Sequence, residues 1–297
     1  MADTSKLSRP GLAHLAVVYV VWGSTYLGIR VAVREDAGFP PFAMAFMRVM
    51  LASAILLGWA RLRGERLRLT RPEFLLLGGT GALLWLGGNG LVNVAEQRIS
   101  SGLAALLVAS MPIWTEFITM VVDRRLPRRR TIGSVLIGFA GVAVLSWPVL
   151  RAGTRADVLG IIACLLAPFF WSLGSMWLQR RKLDLTVRAI SGYQQLLGGV
   201  SLLAASIIAR EPLPQPTGEA WLAFGYLVLF GSVLAFTSYM ATIRLLPYRL
   251  VVTYTYANPV IAVFLGWLIL HEAVTGWTLA GALLVVAGVA GVFANRE

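Results

Sequence analysis

The chain has 297 residues, of which 58% are hydrophobic and 13% charged, with a net charge of +12 and a mean hydropathy of +0.75. A typical soluble domain is about half apolar and about a quarter charged, so this composition excludes an ordinary soluble protein and indicates a chain that lies in lipid. The single cysteine, Cys164, excludes an intrachain disulfide framework and a thiolate metal cluster.

Ten mostly apolar stretches follow one another along the chain, each about 20 residues long, which is the length that crosses a bilayer. The connections are short and contain turn signals, such as Gly-Phe-Pro-Pro at 38–41. We interpret the first stretch as an uncleaved helix, because no small-residue cleavage site interrupts it. The predicted spans are 11–33, 41–61, 73–95, 101–122, 131–149, 157–179, 187–209, 219–243, 249–270 and 275–294.

The basic residues alternate between the two sides of the predicted membrane. Nineteen of the 26 Arg and Lys residues flank one set of span ends, six flank the other set, and Arg48 lies inside a span. Since cytoplasmic loops carry the excess of positive charge, this bias predicts an inner-membrane protein with both termini in the cytoplasm. Because the arginines cluster in short loops between apolar runs, such as VVDRRLPRRR at 121–130, they favour a topology signal over a nucleic-acid surface.

An internal repeat is indicated by an ungapped alignment of 112–144 with 259–291, in which Pro112 meets Pro259. The alternative is that a sequence rich in Ala, Gly and Val aligns with itself by chance. With five spans in each half, residues 1–150 and residues 151–297, the second copy enters the membrane in the opposite direction. Such inverted repeats are typical of secondary transporters, and they also occur in channels.

Three stretches carry a resemblance to a known family: VVWGSTYLGIR at 20–30, RISSGLAALLVASMPIW at 98–114 and LGWLILHEAVTGWTLAGALLVVAGV at 265–289. Along nearly its whole length the chain resembles the EamA type of the drug/metabolite transporter superfamily, and its ten-span plan is similar to the bacterial amino-acid exporters of the YddG kind. The resemblance implies two five-helix repeats around a central cavity and export of small metabolites, often amino acids. The family's Glu-containing turn is matched by His271-Glu272, whereas the first half has Asp123-Arg124-Arg125.

Two charged residues lie well inside predicted spans. Arg48 is about 10 Å below the nearer span end at 1.5 Å per residue, where it either faces the cavity and attracts a substrate carboxylate or bonds to carbonyls of a neighbouring helix. Glu116 is expected to be the deepest carboxylate and the candidate for proton coupling. The alternative is an interfacial Glu116 that meets the arginines of 124–130.

Polar and aromatic residues inside the spans form the predicted binding wall. Pro112 and Pro259 lie in mid-span and each removes a backbone hydrogen bond, which suits a substrate site or hinge, although proline is also frequent in membrane helices. The amides and aromatic rings must either bond to neighbouring helices or face a ligand. The predicted substrate-binding residues are Trp22, Asn89, Asn93, Pro112, Trp171, Gln194, Tyr239, Tyr254 and Asn258.

The sequence predicts a secondary transporter that exports small metabolites by alternating access, with amino acids, aromatic ones included, as the expected substrates. The alternatives are a drug or nucleoside exporter of the same fold, and a channel or facilitator without coupling. An enzyme is not expected, since no paired acids, Walker motif or metal-ligand spacing is present, and no cofactor or metal is expected. The expected partners are the lipid bilayer and a small-molecule substrate, with a monomer favoured over a homodimer.

Overall fold

The computed structural model describes residues 8–124, 129–152 and 155–294, and within these ranges the chain is helical, with no β-strand. Two π-helical stretches, Leu83–Gly90 and Leu227–Ala235, continue α3 into α4 and α10 into α11. This confirms the prediction of an all-α protein. The α-helices are α1 (Arg9–Val33), α2 (Pro41–Leu62), α3 (Arg71–Ala82), α4 (Leu91–Glu96), α5 (Ser101–Val108), α6 (Met111–Asp123), α7 (Arg129–Ala152), α8 (Arg155–Gln179), α9 (Val187–Ile208), α10 (Gly218–Tyr226), α11 (Phe236–Leu245), α12 (Tyr248–Val251), α13 (Tyr254–Leu270) and α14 (Gly276–Ala294).

Hydroxyl side chains begin several of these helices. Each accepts a hydrogen bond from the backbone N–H three residues further on, which satisfies a donor that the first turn leaves without a partner. Thr70 and Glu73 form a reciprocal capping box at the start of α3. The short connections therefore contain their own helix start signals. The other caps are Ser8 for α1, Ser100 for α5, Thr186 for α9 and Thr217 for α10.

Seven helical segments of the described chain are long and apolar enough to cross a membrane. Helix α9, at 22 residues, is long enough but is not among them, because Gln194 and Gln195 lower its hydropathy. Helix α13 and the stretch Gly276–Gly288 are apolar but shorter. The seven segments are Arg9–Val33, Pro41–Leu62, Arg71–Glu96, Ser101–Val122, Arg130–Pro148, Asp157–Gln179 and Gly218–Leu245.

Contacts between helix termini define two ends of the bundle. At the end where α1 begins, named here the N-terminal end, His14 Nδ1 lies 3.1 Å from Ser238 Oγ. At the opposite end, named the far end, Arg98 forms an ion pair with Glu35 at 2.8 Å. The far end gathers the loops at 34–40, 97–100, 209–217 and 271–275.

Small residues bring α7 and α14 into close backbone contact. A Cβ atom added at Gly141 would lie 2.6 Å from the backbone nitrogen of Val285, and one added at Gly288 would collide with the backbone of Gly138. Glycine is therefore required where these two helices touch. The small residues of α7 and α14 therefore pack two helices of the same chain against each other.

The contacts that one helix of the first half makes with helices of the second half recur with the two halves exchanged. Helix α1 packs against α11 and α13, and helix α8 packs against α4 and α6, while α2 packs against α9. A π-helical stretch interrupts the third predicted span and also the eighth. These contacts bring helices from both halves around the centre of the bundle.

The fourth and ninth predicted spans are both broken, but not at equivalent positions. The first break falls at 109–110, directly before Pro112, which stands in the first turn of α6, where proline costs no hydrogen bond. The second break falls at 252–253, and Pro259 lies inside the continuous helix α13. The two prolines therefore do not form the expected matched pair, since Pro112 begins a helix after a break and Pro259 lies within a helix.

Candidate functional site

A cavity lies in the middle of the bundle, and the empty space within it and its opening is about 590 Å³. Both halves of the chain contribute to its wall. Six residues predicted from the sequence reach it, namely Trp22, Arg48, Asn89, Trp171, Tyr254 and Asn258. The other lining residues are Thr25, Tyr26, Ile29, Trp85, Gly88, Val92, Val108, Met111, Ala167 and Pro168.

Four aromatic rings pack together on the side of the cavity nearer the N-terminal end, and we name them the aromatic cluster: Trp22, Trp171, Tyr239 and Tyr254. The ring of Trp22 lies at the centre, 5.4 Å from Trp171, 4.8 Å from Tyr239 and 5.2 Å from Tyr254. Edge-to-face packing at such distances adds to the stability that burial alone gives. The cluster separates the cavity from the N-terminal end, where Ser238 contacts His14.

Hydrogen bonds hold the aromatic cluster in place. The phenol oxygen of Tyr239 accepts a hydrogen bond from Trp171 Nε1 at 3.1 Å and lies 2.8 Å from Ser175 Oγ. Tyr254 Oη lies 3.4 Å from Met111 Sδ. Buried Tyr and Trp side chains need such partners for their polar atoms. Trp22, Trp171 and Tyr254 line the cavity, whereas the fully buried Tyr239 supports them without reaching it.

Arg48 is 2% exposed and reaches the cavity from α2. Its Nε donates to Ser232 Oγ at 2.7 Å, its Nη1 lies 3.5 Å from Asn89 Oδ1, and its guanidinium stands 5.7 Å from the ring centroid of Trp85. No ion pair of Arg48 is found among the described residues. A buried cation with hydrogen-bond and cation–π support but no carboxylate can receive the carboxylate of a ligand.

The π-helical stretch Leu227–Ala235 makes room for the Arg48 guanidinium. Trp22 Nε1 donates to the carbonyl oxygen of Gly231 at 3.2 Å, and a Cβ atom at Gly231 would lie 2.8 Å from Arg48 Nη2. A side chain at this position would shift the guanidinium, so the glycine leaves the space that the guanidinium occupies. π-Helical turns are frequent at functional sites, and this one holds both the cation and the central ring of the aromatic cluster.

The two amides on the cavity wall have different surroundings. Asn89 is partly buried in the other π-helical stretch, Leu83–Gly90, and its side-chain oxygen faces Arg48. With its side-chain nitrogen turned toward them, Asn258 donates to the carbonyl oxygens of Tyr19 at 3.2 Å and Tyr254 at 3.1 Å. Asn89 is therefore the amide that stands beside the cation.

Two of the amides predicted as ligands bond to neighbouring helices instead. Asn93 is fully buried and its nitrogen donates to the carbonyl oxygen of Pro41 at 3.1 Å. Gln194 is fully buried and its nitrogen donates to Thr80 Oγ1 at 2.8 Å. Both join helices outside the cavity, because in each case the partner lies on an adjacent helix rather than in the open space.

Pro112 and Glu116 also lie outside the central cavity. The residues on either side of the break before Pro112, Val108 and Met111, line the cavity, whereas Pro112 does not. Glu116 is half-buried and lines a separate apolar pocket between α6 and α7, together with Trp114 and Phe139 among others. The sequence pattern gave no information on the direction in which either side chain faces.

Glu96 is a buried acid that the sequence analysis did not single out. It is the last residue of α4 and is 0% exposed, and neither carboxylate oxygen has a hydrogen-bond partner among the described residues. Arg30 Nη1 donates to the main-chain carbonyl oxygen of Glu96 at 2.5 Å. The available signal was an acid at the boundary of one span with an arginine near the end of another.

Three further carboxylates bind the starts of helices. Glu272 accepts hydrogen bonds from Ser101 N at 2.8 Å, Ser101 Oγ at 2.9 Å and Gly102 N at 3.2 Å, at the start of α5. Glu211 accepts from the backbone nitrogens of Phe42 at 2.9 Å and Ala43 at 2.8 Å, at the start of α2. Anions are favoured at helix N-termini, so each carboxylate fixes a far-end helix start.

Glu65 performs the corresponding task at the N-terminal end. It accepts hydrogen bonds from Thr186, the cap of α9, and from Arg188 Nε at 2.8 Å. Burial by itself raises the pKa of Glu65, but the hydrogen bonds from Arg188 and Thr186, together with the charges of Arg188 and Arg63, bring that pKa below its ordinary value. The carboxylate form is therefore part of the folded structure at neutral pH.

The cysteine and the two histidines are placed where they contribute to the helix packing or to helix ends. His14 contacts Ser238, as described above. Cys164 Sγ lies 3.5 Å from the carbonyl oxygen of Ala104, and His271 ends α13 in the left-handed conformation with φ 54°. Within residues 8–124, 129–152 and 155–294, no group of three or more His, Cys, Asp or Glu residues is placed to hold a metal ion.

Comparison with known proteins identifies relatives over most of the chain. The sequence profile of the EamA-like transporter family matches residues 9–147 and again residues 158–294. The chain is 37% identical over 259 residues to the uncharacterized inner membrane transporter YedA of Escherichia coli K12, covering 86% of this chain and 82% of that protein. It is 27% identical over 268 residues to an S-adenosylmethionine/S-adenosylhomocysteine transporter of Chlamydia trachomatis serovar L2, covering 85% and 80%.

A solved crystal structure shares the fold. It superimposes with a TM-score of 0.68 at 22% sequence identity and covers 98% of this chain and 99% of its own. At this identity the likeness concerns the arrangement of helices alone. The same family profile matches each half of the chain separately.

Proposed function

The chain belongs to the EamA-like transporter family, and from this premise we propose that it is a secondary transporter that exports amino acids across the bacterial inner membrane. The substrate would bind in the central cavity and leave by alternating access, as one half of the bundle rocks against the other. The observation that carries the amino-acid assignment is Arg48, a buried cavity cation without a carboxylate partner in the described structure.

We further propose that the membrane domain has ten spans arranged as two inverted five-helix repeats, 1–150 and 151–297, with both termini in the cytoplasm. The recurrence of helix contacts between the halves and the two π-helical stretches support this arrangement. The N-terminal end would then face the cytoplasm, since the Arg-rich loops lie there. The substrate cavity lies where the two halves meet, which is the usual place for a transporter site.

The chemistry of the cavity supports an amino acid with an apolar or aromatic side chain. Arg48 would bind the carboxylate, and Asn89 beside it would accept a hydrogen bond from the ammonium or hold the guanidinium. The faces of Trp22 and Trp171 would contact the side chain. Aromatic walls bury apolar ligands at little cost in side-chain entropy, so larger side chains should bind more tightly than that of alanine.

A second candidate is a metabolite that joins an amino-acid group to a nucleoside. The relative from Chlamydia trachomatis named above is a transporter of such compounds, and the aromatic cluster offers flat faces for a base. In this case Arg48 would again bind the carboxylate of the amino-acid group. The two candidates differ in whether the cavity prefers the free amino acid or its adenosyl derivative.

The proposal is tested with the purified chain in liposomes, using counterflow of labelled L-tryptophan, L-leucine and L-alanine, and of S-adenosylmethionine in parallel. Counterflow requires a saturable site that moves between the two sides. We expect saturable exchange of at least one amino acid, with tryptophan the strongest competitor. Preference for S-adenosylmethionine would favour the second candidate, and a non-saturating flux would show a channel instead.

Arg48 has its own test, in which wild-type protein is compared with Arg48→Gln and with Arg98→Gln as the control, since Arg98 is an exposed arginine in a far-end ion pair. Wild-type protein should bind an amino acid at least about tenfold more tightly than its amide, because a hydrogen-bonded charge pair contributes about 1.5–3 kcal/mol. Arg48→Gln should lose this preference and Arg98→Gln should keep it. An unchanged acid-to-amide ratio in Arg48→Gln would remove Arg48 from substrate recognition.

A further inference from the structure

Glu96 combines complete burial with the absence of any hydrogen bond to its carboxylate. Both oxygens are enclosed by protein and have no partner among the described residues. The adjacent cation, Arg30, donates to the main-chain carbonyl oxygen of Glu96 and not to its side chain. An ionised carboxylate cannot be left in such a place without large cost, whereas a neutral carboxyl group can. The packing seen here therefore suits the protonated acid.

Glu96 lies beside the cavity, toward the far end. Asn89 and Val92 line the cavity, and Glu96 follows Val92 by one helical turn on the same face, about 6 Å further along at 1.5 Å per residue. On the neighbouring helix α8, Ala167 lines the cavity and the buried Cys164 lies about one turn beyond it. Glu96 thus stands between the cavity and the far end, where an opening at that end would admit water.

The charged and titratable groups around Glu96 come from each element near it. Helix α1 contributes Arg30 and Tyr26, α2 contributes Arg48, α8 contributes Cys164, and the turn after α13 contributes Glu272. Glu272 is already bound to the start of α5. Among these groups Arg30 is the cation that can turn its donors from the main chain of Glu96 to the side chain.

We propose that Glu96 is the proton-binding site that couples export to proton entry. In the state described here Glu96 holds a proton. When the bundle opens at the N-terminal end, the proton leaves through the cavity to water on that side, and the ionised carboxylate pairs with Arg30 while substrate enters. When the bundle opens at the far end, substrate leaves and Glu96 takes up a proton from water on that side, so that one proton enters for each substrate exported. This rests on the proposed function, and it assigns coupling to Glu96 and not to Glu116, which faces α7.

The first test measures the carboxyl group directly and needs no substrate. Infrared spectra of the full-length protein in lipid at neutral pH are compared for wild type, Glu96→Gln and the matched variant Glu116→Gln. We expect the carbonyl band of a protonated acid in wild type, its loss in Glu96→Gln and its persistence in Glu116→Gln. A band that is absent from wild type, or that survives in Glu96→Gln, would overturn the proposal.

The second test measures coupling with labelled L-tryptophan, L-leucine and L-alanine in liposomes that carry a proton gradient. A gradient of about one pH unit sustains about a tenfold substrate gradient per coupled proton, because each 1.4 kcal/mol is a factor of ten. We expect this accumulation in wild type and in Glu116→Gln. Glu96→Gln should retain substrate exchange at equal pH but accumulate nothing.

Accumulation by Glu96→Gln, or its loss in Glu116→Gln alone, would contradict the proposal. If wild type exchanges none of the three amino acids, the proposed substrate is wrong, and the infrared band still decides whether Glu96 holds a proton. Equal thermal unfolding of the two glutamine variants serves as the control for folding. A misfolded Glu96→Gln would lose exchange as well as accumulation. In that case both measurements are repeated with the neutral variant Glu96→Asn.

Discussion

Carboxylates bind helix starts at both ends of the molecule, but the two halves of the chain match at one pair of sites and differ at another. Glu65 binds the start of α9 and Glu211 binds the start of α2, and these two acids are 146 residues apart in the sequence. Glu272 binds the start of α5. In the repeat alignment its counterpart is Arg125, which lies outside the described residues.

The difference concerns how firmly each broken span is held. Helix α5 begins with a serine cap and the Glu272 carboxylate. Helix α12, its counterpart, begins at Tyr248 after Pro247, which provides no side-chain cap. The starts of α2 and α9 are thus each bound by an acid. Of the corresponding pair α5 and α12, only the start of α5 is bound by one.

Loss of Glu272 should have the largest effect on stability. Glu272→Ala removes three hydrogen bonds to one charged group and leaves two backbone donors of α5 without a partner, so we expect a loss of about 3 kcal/mol. Glu272→Gln should lose about half as much. The measurement is the free energy of unfolding in mild detergent, with Glu219→Ala as the control, since the Glu219–Arg34 pair is exposed. An effect no larger than that of Glu219→Ala would show that the turn does not hold α5.

Loss of Glu211 should have an intermediate effect. Its carboxylate satisfies two backbone donors at the start of α2, and Glu211→Ala should lower the free energy of unfolding by about 2 kcal/mol. Glu35→Ala, which removes an exposed far-end acid, is the matched control. A smaller loss than that of the control would separate Glu211 from Glu65 and break the match between the two halves.

Much of the fold was predictable because helix position is a local property of the sequence. The length of each apolar stretch predicted a helix, and Ser, Thr and Pro in the connections predicted where the helices begin. The break before Pro112 was predictable for the same reason. The uninterrupted α13 around Pro259 was not, because neighbouring helices decide whether a proline bends the chain. Residues 187–209 were predicted as a span because they are mostly apolar and long enough, although Gln194 and Gln195 lower the hydropathy of α9.

The site was predictable in composition but not in direction. Asn89 and Asn93 lie four residues apart, yet only Asn89 reaches the cavity, whereas Asn93 bonds to the carbonyl oxygen of Pro41 on the neighbouring helix. Glu116 was chosen for its depth along the chain, whereas Glu96 is the more deeply buried acid. Depth in sequence measures distance along one helix, and burial depends on the helices packed around it.

The smallest effect expected concerns Glu65 and acid. Because the pKa of Glu65 is lowered in the folded protein, its carboxylate contributes stability that is fully present above the pKa of Glu in the unfolded chain and is lost as pH falls through the lowered pKa of the folded state. We expect a loss of about 1 kcal/mol or less, since one partner is partly exposed. The slope of stability against pH should flatten in Glu65→Gln, measured by unfolding at each pH. An unchanged slope in that variant would show that the charge of Glu65 does not contribute to its interaction with Thr186 and Arg188. Glu65 and Glu211 would then be equivalent in position but not in energy.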